Sequence, residues 1–205
     1  MAIPSAKEIF DAAFQEIRHE VDRSIESVDP EQLRRFVDLL IVTKAKGKRV
    51  LLVGAGRSGL VARAFALRLM HLGFSVYVHG ETITPSIGKG DLVIAISGSG
   101  TTKLVVTAAE IAKGLRARVL AVTSHSESRL AVIADQLMLV RGRTKAPQEK
   151  DYLSRQMLGE HESLAPLGTV FEIACSIFLD CVIAAIMTLL EETEAEIRER
   201  HVNIE

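Results

Sequence analysis

Val50-Leu51-Leu52-Val53 runs directly into Gly54-Ala55-Gly56-Arg57-Ser58-Gly59, and Leu92-Val93-Ile94-Ala95-Ile96 runs into Ser97-Gly98-Ser99-Gly100-Thr101-Thr102. Each is an apolar, strand-like run followed by a small-residue turn and then a helical pattern. Strand, turn and helix in that order aim backbone N–H groups and a helix N-terminus at an anion. Two such loops in a chain of 205 residues point to a phosphorylated small molecule held between two strand ends.

Outward from these loops the pattern alternates. Strand-like runs are expected at about 49–53, 74–78, 91–96, 118–122 and 136–140, with helices at about 58–71, 101–113 and 127–134. All five runs are apolar without alternation, as parallel strands covered on both faces require. The fold class expected is α/β, a three-layer α/β/α sandwich with a five-stranded parallel sheet. Residues 79–90, with Gly80, Pro85, Gly88 and Gly90, join two strands without a helix. The first 45 or so residues read as two helices, the second opened by Asp29-Pro30-Glu31, which supplies an N-cap, a first-turn proline and an acid near the dipole's positive end. The division expected is 1–46, a helical segment on the domain or a subunit interface, and 47–205, the ligand-binding domain. The basic, Pro- and Gly-containing stretch 141–167 reads as an active-site lid or a loop touching a neighbouring subunit.

Composition narrows the class further. The net charge of −1, with 25% charged residues, gives no field that favours nucleic acid or an anionic membrane. Cys175 and Cys181 lie in an apolar helical stretch and face apart, so both read as buried, reduced thiols. The first 20 residues carry charges throughout and lack the apolar core of a secretory signal, which points to the cytoplasm. Ile173 to Leu190 approaches the length of a membrane span. Asp180 in its middle would be costly in lipid, so a helix partly covered by a second subunit is the better account.

The first loop satisfies the GxGxxG spacing through Gly54, Gly56 and Gly59, and Glu81 stands roughly 20 residues on, as in a dinucleotide fingerprint. Glycines serving only a tight turn explain the same spacing. Arg57 and Ser58, however, fill the variable positions with groups suited to an anion. The second loop favours a sugar phosphate over a dinucleotide. Ser97, Ser99, Thr101 and Thr102 supply four hydroxyls, while Gly98 and Gly100 admit close backbone approach. A helix beginning near Thr101 would complete a phosphate cradle without a metal. The Walker pattern is absent, and the histidines show no metal-ligand spacing.

Ser97-Gly98-Ser99-Gly100-Thr101-Thr102 resembles the SxSGxT phosphate loop of sugar isomerase (SIS) domains, with Thr101 at a variable position where many relatives carry Glu. Gly54 to Gly59, Arg68-Leu69-Met70-His71-Leu72-Gly73-Phe74, Gly80-Glu81-Thr82 with Thr84-Pro85, Pro166-Leu167-Gly168-Thr169 with Phe171-Glu172, and Glu199 to Glu205 are similar to the 6-phospho-3-hexuloisomerase branch. The resemblance implies a flavodoxin-type topology and a homo-oligomer, dimer or tetramer. It also implies interconversion of D-arabino-hex-3-ulose 6-phosphate and D-fructose 6-phosphate through a cis-enediol, in the ribulose monophosphate pathway of formaldehyde fixation and beside 3-hexulose-6-phosphate synthase. Such chemistry needs a base, a donor near the enediolate oxygens and a fixed phosphate, but neither redox cofactor nor metal.

Glu172, just inside the apolar helix, is the candidate base, with burial expected to raise its pKa; compensation of the helix dipole would also place an acid there. His201, from the matched C-terminal motif, is the candidate proton shuttle between enediol oxygens, in its own or a neighbour's site. Its alternative is a tail histidine complementing a helix end. Glu81 would orient substrate hydroxyls or close a turn with Thr82. His71 reads as a satisfied histidine at a helix end. Arg57 pairs either with the substrate phosphate or with a carboxylate of the fold. A non-catalytic sugar-phosphate regulator on the same fold, and a dinucleotide-dependent oxidoreductase, are the competing functions; the N-terminal 45 residues offer no basic recognition helix for the former.

Overall fold

The computed structural model describes residues 4–142 and 163–201. Two helices lead, α1 (Ala6–Glu26) and α2 (Pro30–Ala45). Both start where a side chain caps the first turn. Ser5 accepts from the Glu8 amide in a reciprocal capping box, and Asp29 accepts from the Gln32 amide at 2.7 Å ahead of Pro30. Then follow β1 (Val50–Gly54), α3 (Arg57–His71), β2 (Val76–Val78), β3 (Leu92–Ile96), α4 (Lys103–Gly114), β4 (Arg118–Thr123), α5 (Arg129–Ile133) and β5 (Gln136–Leu139). Beyond 163 come α6 (Thr169–Leu189) and α7 (Glu194–Glu199). The second loop is two residues longer than expected: α4 begins at Lys103, not near Thr101, with Thr102 as its N-cap.

Among the described residues all five strands form one parallel sheet in the order β2-β1-β3-β4-β5. The chain leaves β1 toward β2 on one side and returns to place β3 on the other, so the strand order reverses between β1 and β3. Ligands of open α/β sheets bind outside the carboxyl ends of the strands at such a reversal. Gly54 is in register with Ile96, so the two glycine- and serine-bearing turns leave the sheet at one height and side by side.

Alternate strand residues serve the two faces. Val50, Leu52, Leu92, Ile94 and Ile96 join Phe36, Leu40, Phe65, Leu69 and Phe178 in one core beneath α1, α2, α3 and α6. Leu51, Val53, Val93 and Ala95 meet Val105, Ala109 and Leu130 of α4 and α5 on the other face. The N-terminal helices therefore share the core of the sheet. α6 is long and apolar enough to cross a membrane, yet half of its most apolar stretch is buried inside the protein. Its mid-helix Asp180 has a partner that the sequence did not reveal, the Arg68 guanidinium at 3.6 Å. Cys175 is buried, and burial pushes its thiol up to about 12. Cys181, expected to be buried as well, is exposed, because the protein covers only one side of α6 and Cys181 shares the open side with Ile173, Ile177 and Asp180.

Phe36, 1% exposed, stands edge-on to Phe178 at 5.6 Å and joins α2 to α6. Phe36→Ala is expected to lower unfolding free energy by about 3–5 kcal/mol, read as a shift of the urea midpoint with an unchanged slope.

Candidate functional site

The turn after β1 depends on its glycines for close approach. A Cβ on Gly54 would lie 2.5 Å from the Ser58 carbonyl oxygen, so the first turn of α3 folds back against the strand end. In the second turn, Ser97 is buried and its Oγ lies 2.9 Å from Thr102 Oγ1. The Ser97 hydroxyl also accepts from the Gly100 amide at 3.2 Å, and Ser99 Oγ accepts from the Thr101 amide and hydroxyl at 3.3 and 3.1 Å. The Gly98 carbonyl is tied to the end of β4 by the Ser124 amide and the Thr123 hydroxyl, at 3.0 and 3.1 Å. Gly100 sits at φ +63°, and a Cβ there would fall 2.1 Å from Ser128 Oγ. The loop is thus set by its own hydroxyls before any ligand arrives.

These turns form a cleft of about 410 Å³ lined by Ala55, Gly56, Arg57, Ser58, Gly98, Ser99, Thr102, Leu167, Gly168, Phe171 and Glu172. Three of these residues are N-caps: Gly56 of α3, Thr102 of α4 and Gly168 of α6. None of the three gives its helix a side-chain cap. The other four described helices, α1, α2, α5 and α7, are capped by Ser5, Asp29, Ser128 and Thr193. The helices with open first turns are the ones that begin at the cleft. Each N-terminus carries partial positive charge and unpaired amide donors, worth about 0.3–1 kcal/mol toward an anion, up to ~2 kcal/mol when partly buried. The cleft thus gathers three positively polarised helix starts beside a carboxylate, an arrangement that can hold an anion.

That carboxylate is Glu172, in the first turn of α6 with its side chain 24% exposed. It is not sunk among apolar groups as expected; Arg57 Nε donates to its Oε2. Arg57 Nη1 donates to the Leu167 carbonyl at 3.2 Å and Nη2 to Thr169 Oγ1 at 3.1 Å. Of the two partners open to Arg57, the carboxylate of the fold is the one it holds here.

The predicted site residues divide accordingly. Gly56, Arg57, Ser58, Gly98, Ser99, Thr102 and Glu172 line the cleft. Ser97 and Gly100 are buried behind it as supports, and exposed Thr101 braces Ser99. Glu81 is not in the cleft wall: it lies exposed in the β2–β3 connection, paired with Arg63 at 3.1 Å. His201 is not brought to this cleft within one chain. Its ring stacks on His71 at 3.7 Å, in a second pocket with Arg68, Met70 and Asp180. His71 ends the 15-residue helix that Arg57 begins, a separation of about 20 Å. The Leu167-Gly168-Thr169 turn that brings the third helix N-terminus was missed as part of the cradle. Its signal was Gly168 placed immediately before a long apolar helix. Residues 143–162 of the suggested lid, and Val202 to Glu205 of the matched C-terminal motif, lie outside the described residues.

A family model described as SIS domain matches residues 43–147, which contain both turns. The chain belongs to the SIS-domain family. This SIS-domain protein is 52% identical over 182 residues, 89% of its own length and 86% of the other's, to an uncharacterized protein of Aeropyrum pernix. It is 39% identical to the 3-hexulose-6-phosphate isomerase of Mycobacterium gastri, covering 92% of this chain and 88% of that enzyme. A crystal structure from Methanococcus jannaschii, from which a molecular function of 3-hexulose-6-phosphate isomerase was inferred, superposes with a TM-score of 0.74 at 36% identity. That match spans 97% of this chain and 99% of the other.

His71, expected to be satisfied, is buried with its Nδ1 lacking a hydrogen-bond partner. Burial first, then electrostatic repulsion from neighbouring His201 and Arg68, holds its pKa below the usual imidazole value. As pH falls below about 6.5 the unfolded chain takes up a proton that the native His71 resists, so native stability falls with it. Urea midpoints are expected to drop between about pH 7.5 and about pH 5.5, with part of the drop absent in His71→Leu. Gly100→Ala places a Cβ against Ser128 in a backbone conformation that alanine resists. It should cost about 1–3 kcal/mol and weaken phosphate binding, measured by urea unfolding and calorimetry.

Proposed function

We propose that this SIS-domain protein is a sugar-phosphate isomerase that interconverts D-arabino-hex-3-ulose 6-phosphate and D-fructose 6-phosphate. One observation carries the reading: three uncapped helix N-termini and the Ser99 and Thr102 hydroxyls meet in a cleft whose one carboxylate among the described residues is Glu172. The relatives named 3-hexulose-6-phosphate isomerase support the choice of substrate. A place in the ribulose monophosphate pathway, beside 3-hexulose-6-phosphate synthase, belongs to the same proposal.

In the proposed reaction the phosphate sits at the helix N-termini and fixes the sugar chain. Glu172 removes the proton on carbon 2, made acidic by the carbonyl at carbon 3. The C–H electron pair becomes the carbon 2–carbon 3 double bond, and the carbonyl pair moves to oxygen 3, which takes up a proton to give the cis-enediol. Oxygen 2 then gives up its hydroxyl proton, its electron pair forms the carbonyl at carbon 2, and the double-bond pair takes a proton at carbon 3 from the Glu172 carboxyl. Anchoring the phosphate converts the encounter of base and C–H into a step between held partners.

His201 enters as the proton shuttle in the cleft of a second copy, since its own chain places it at the opposite end of α3. Leu60, Leu67 and Met70 of α3 and Ile173 and Ile177 of α6 are exposed along the intervening surface. They supply an apolar face on which a second copy, laid antiparallel, brings its His201 end to the first copy's cleft.

Glu172→Gln is expected to lower kcat by about 10²–10⁴-fold while fructose 6-phosphate still binds; wild-type turnover would remove Glu172 as the base. Ser99→Ala with Thr102→Ala should raise KM about 10- to 100-fold with a smaller change in kcat. Loss of kcat at unchanged KM would contradict the cradle. Mixing inactive Glu172→Gln chains with inactive His201→Ala chains, then exchanging subunits, should regenerate activity. A mixture that stays inactive after demonstrated exchange places no shared site between copies. Reaction in deuterated water, followed by NMR of the fructose 6-phosphate formed, should show deuterium at carbon 3.

A further inference from the structure

Arg57 is the first residue of α3, and all three of its guanidinium nitrogens are engaged across the cleft at the entry to α6, on the turn before it and on its first residues. Nε donates to Glu172 Oε2, Nη1 to the Leu167 carbonyl at 3.2 Å and Nη2 to Thr169 Oγ1 at 3.1 Å. A guanidinium is a rigid planar fork, so three acceptors at one helix start fix its plane. The fixed fork in turn leaves the Glu172 carboxylate one direction to face. A glutamate otherwise loses considerable rotamer freedom on being held, and a base must be held to react quickly.

We infer that Arg57 is a positioning residue for the Glu172 carboxylate and not a ligand of the substrate phosphate, which rests on the reading of Glu172 as the base. The phosphate has its own partners in the open helix termini and the hydroxyls of Ser99 and Thr102, whereas the carboxylate has Arg57 as its ion-pair partner among the described residues. In the resting cleft the guanidinium and carboxylate neutralise one another. When Glu172 takes the proton from carbon 2 the carboxyl becomes neutral, and the C–H pair becomes the new double bond as negative charge arrives on oxygen 3. The positive charge of Arg57 is then no longer cancelled by its neighbour at the moment the enediolate forms, and it stays in place without reorganisation.

The experiment compares Arg57→Met, Arg57→Lys and Glu172→Gln with the wild-type protein in the isomerisation of D-arabino-hex-3-ulose 6-phosphate, with inorganic phosphate as a competing anion. Arg57→Met is expected to lower kcat by about 100-fold, the loss typical of a misplaced reacting group. The inhibition constant of inorganic phosphate should stay within about threefold, because the cradle is untouched. Arg57→Lys, which keeps the charge but not the fork, should fall between the two; it also serves as the variant of record where Arg57→Met does not fold. Guanidinium ion added to Arg57→Ala should restore part of the turnover, which a purely structural loss would not allow. A tenfold rise in the phosphate inhibition constant with kcat preserved overturns the inference and makes Arg57 a phosphate ligand. Loss of turnover in Glu172→Gln with wild-type kcat in Arg57→Met overturns the role of Arg57 alone. Full turnover in Glu172→Gln overturns the reading of Glu172 as the base, and the Arg57 inference with it.

Discussion

Three helices of this protein begin at one cleft with no side chain closing their first turns, and the rest of the architecture serves that convergence. A helix N-terminus left uncapped in a folded protein forgoes about 1 kcal/mol of stabilisation. The four helices that start elsewhere among the described residues all take the cap. Leaving α3, α4 and α6 open concentrates amide donors and partial positive charge on one cleft of about 410 Å³. The reversal of strand order between β1 and β3 makes this possible: it splays α3 and α4 to opposite faces of the sheet while their starting turns remain neighbours. α6 then arrives from the far end of the chain to close the third side.

The same convergence explains the division of labour within the second turn. Ser97 and Gly100 do not face the cleft. Their hydrogen bonds and backbone shape hold Ser99 and Thr102 where a ligand can reach them. Anchorage set in advance serves substrate and transition state alike, so it gives affinity and orientation more than chemical acceleration. In the proposed reaction acceleration falls to the Glu172 carboxylate that α6 brings, and a carboxylate beside uncapped helix starts suits proton transfer on a phosphorylated ketose better than transfer of a hydride.

Most of the fold was legible because its signals are local. Apolar runs without alternation announce buried parallel strands, and Asp29-Pro30-Glu31 starts α2 where its chemistry says a helix should start. The two loops were legible for the same reason, glycine and hydroxyl residues at strand ends. The remainder depended on contacts far apart in sequence. The pairing of Arg57 with Glu172 spans 115 residues, and nothing near either residue forecasts it. Glu81 satisfied a spacing rule yet pairs with Arg63 at the surface, because spacing after a glycine turn does not specify which way a connection without a helix will lead. His201 followed from motif likeness alone, and a motif says nothing of the helix length that separates two ends of one chain.

A crystal structure of the protein with fructose 6-phosphate bound tests the central claim most directly. The account predicts the phosphate against the first turns of α3, α4 and α6, touching Ser99 and Thr102, with the carbon 2–carbon 3 bond of the open chain alongside the Glu172 carboxylate. A sugar phosphate seated elsewhere, or seated here with its carbon chain turned away from Glu172, would contradict it.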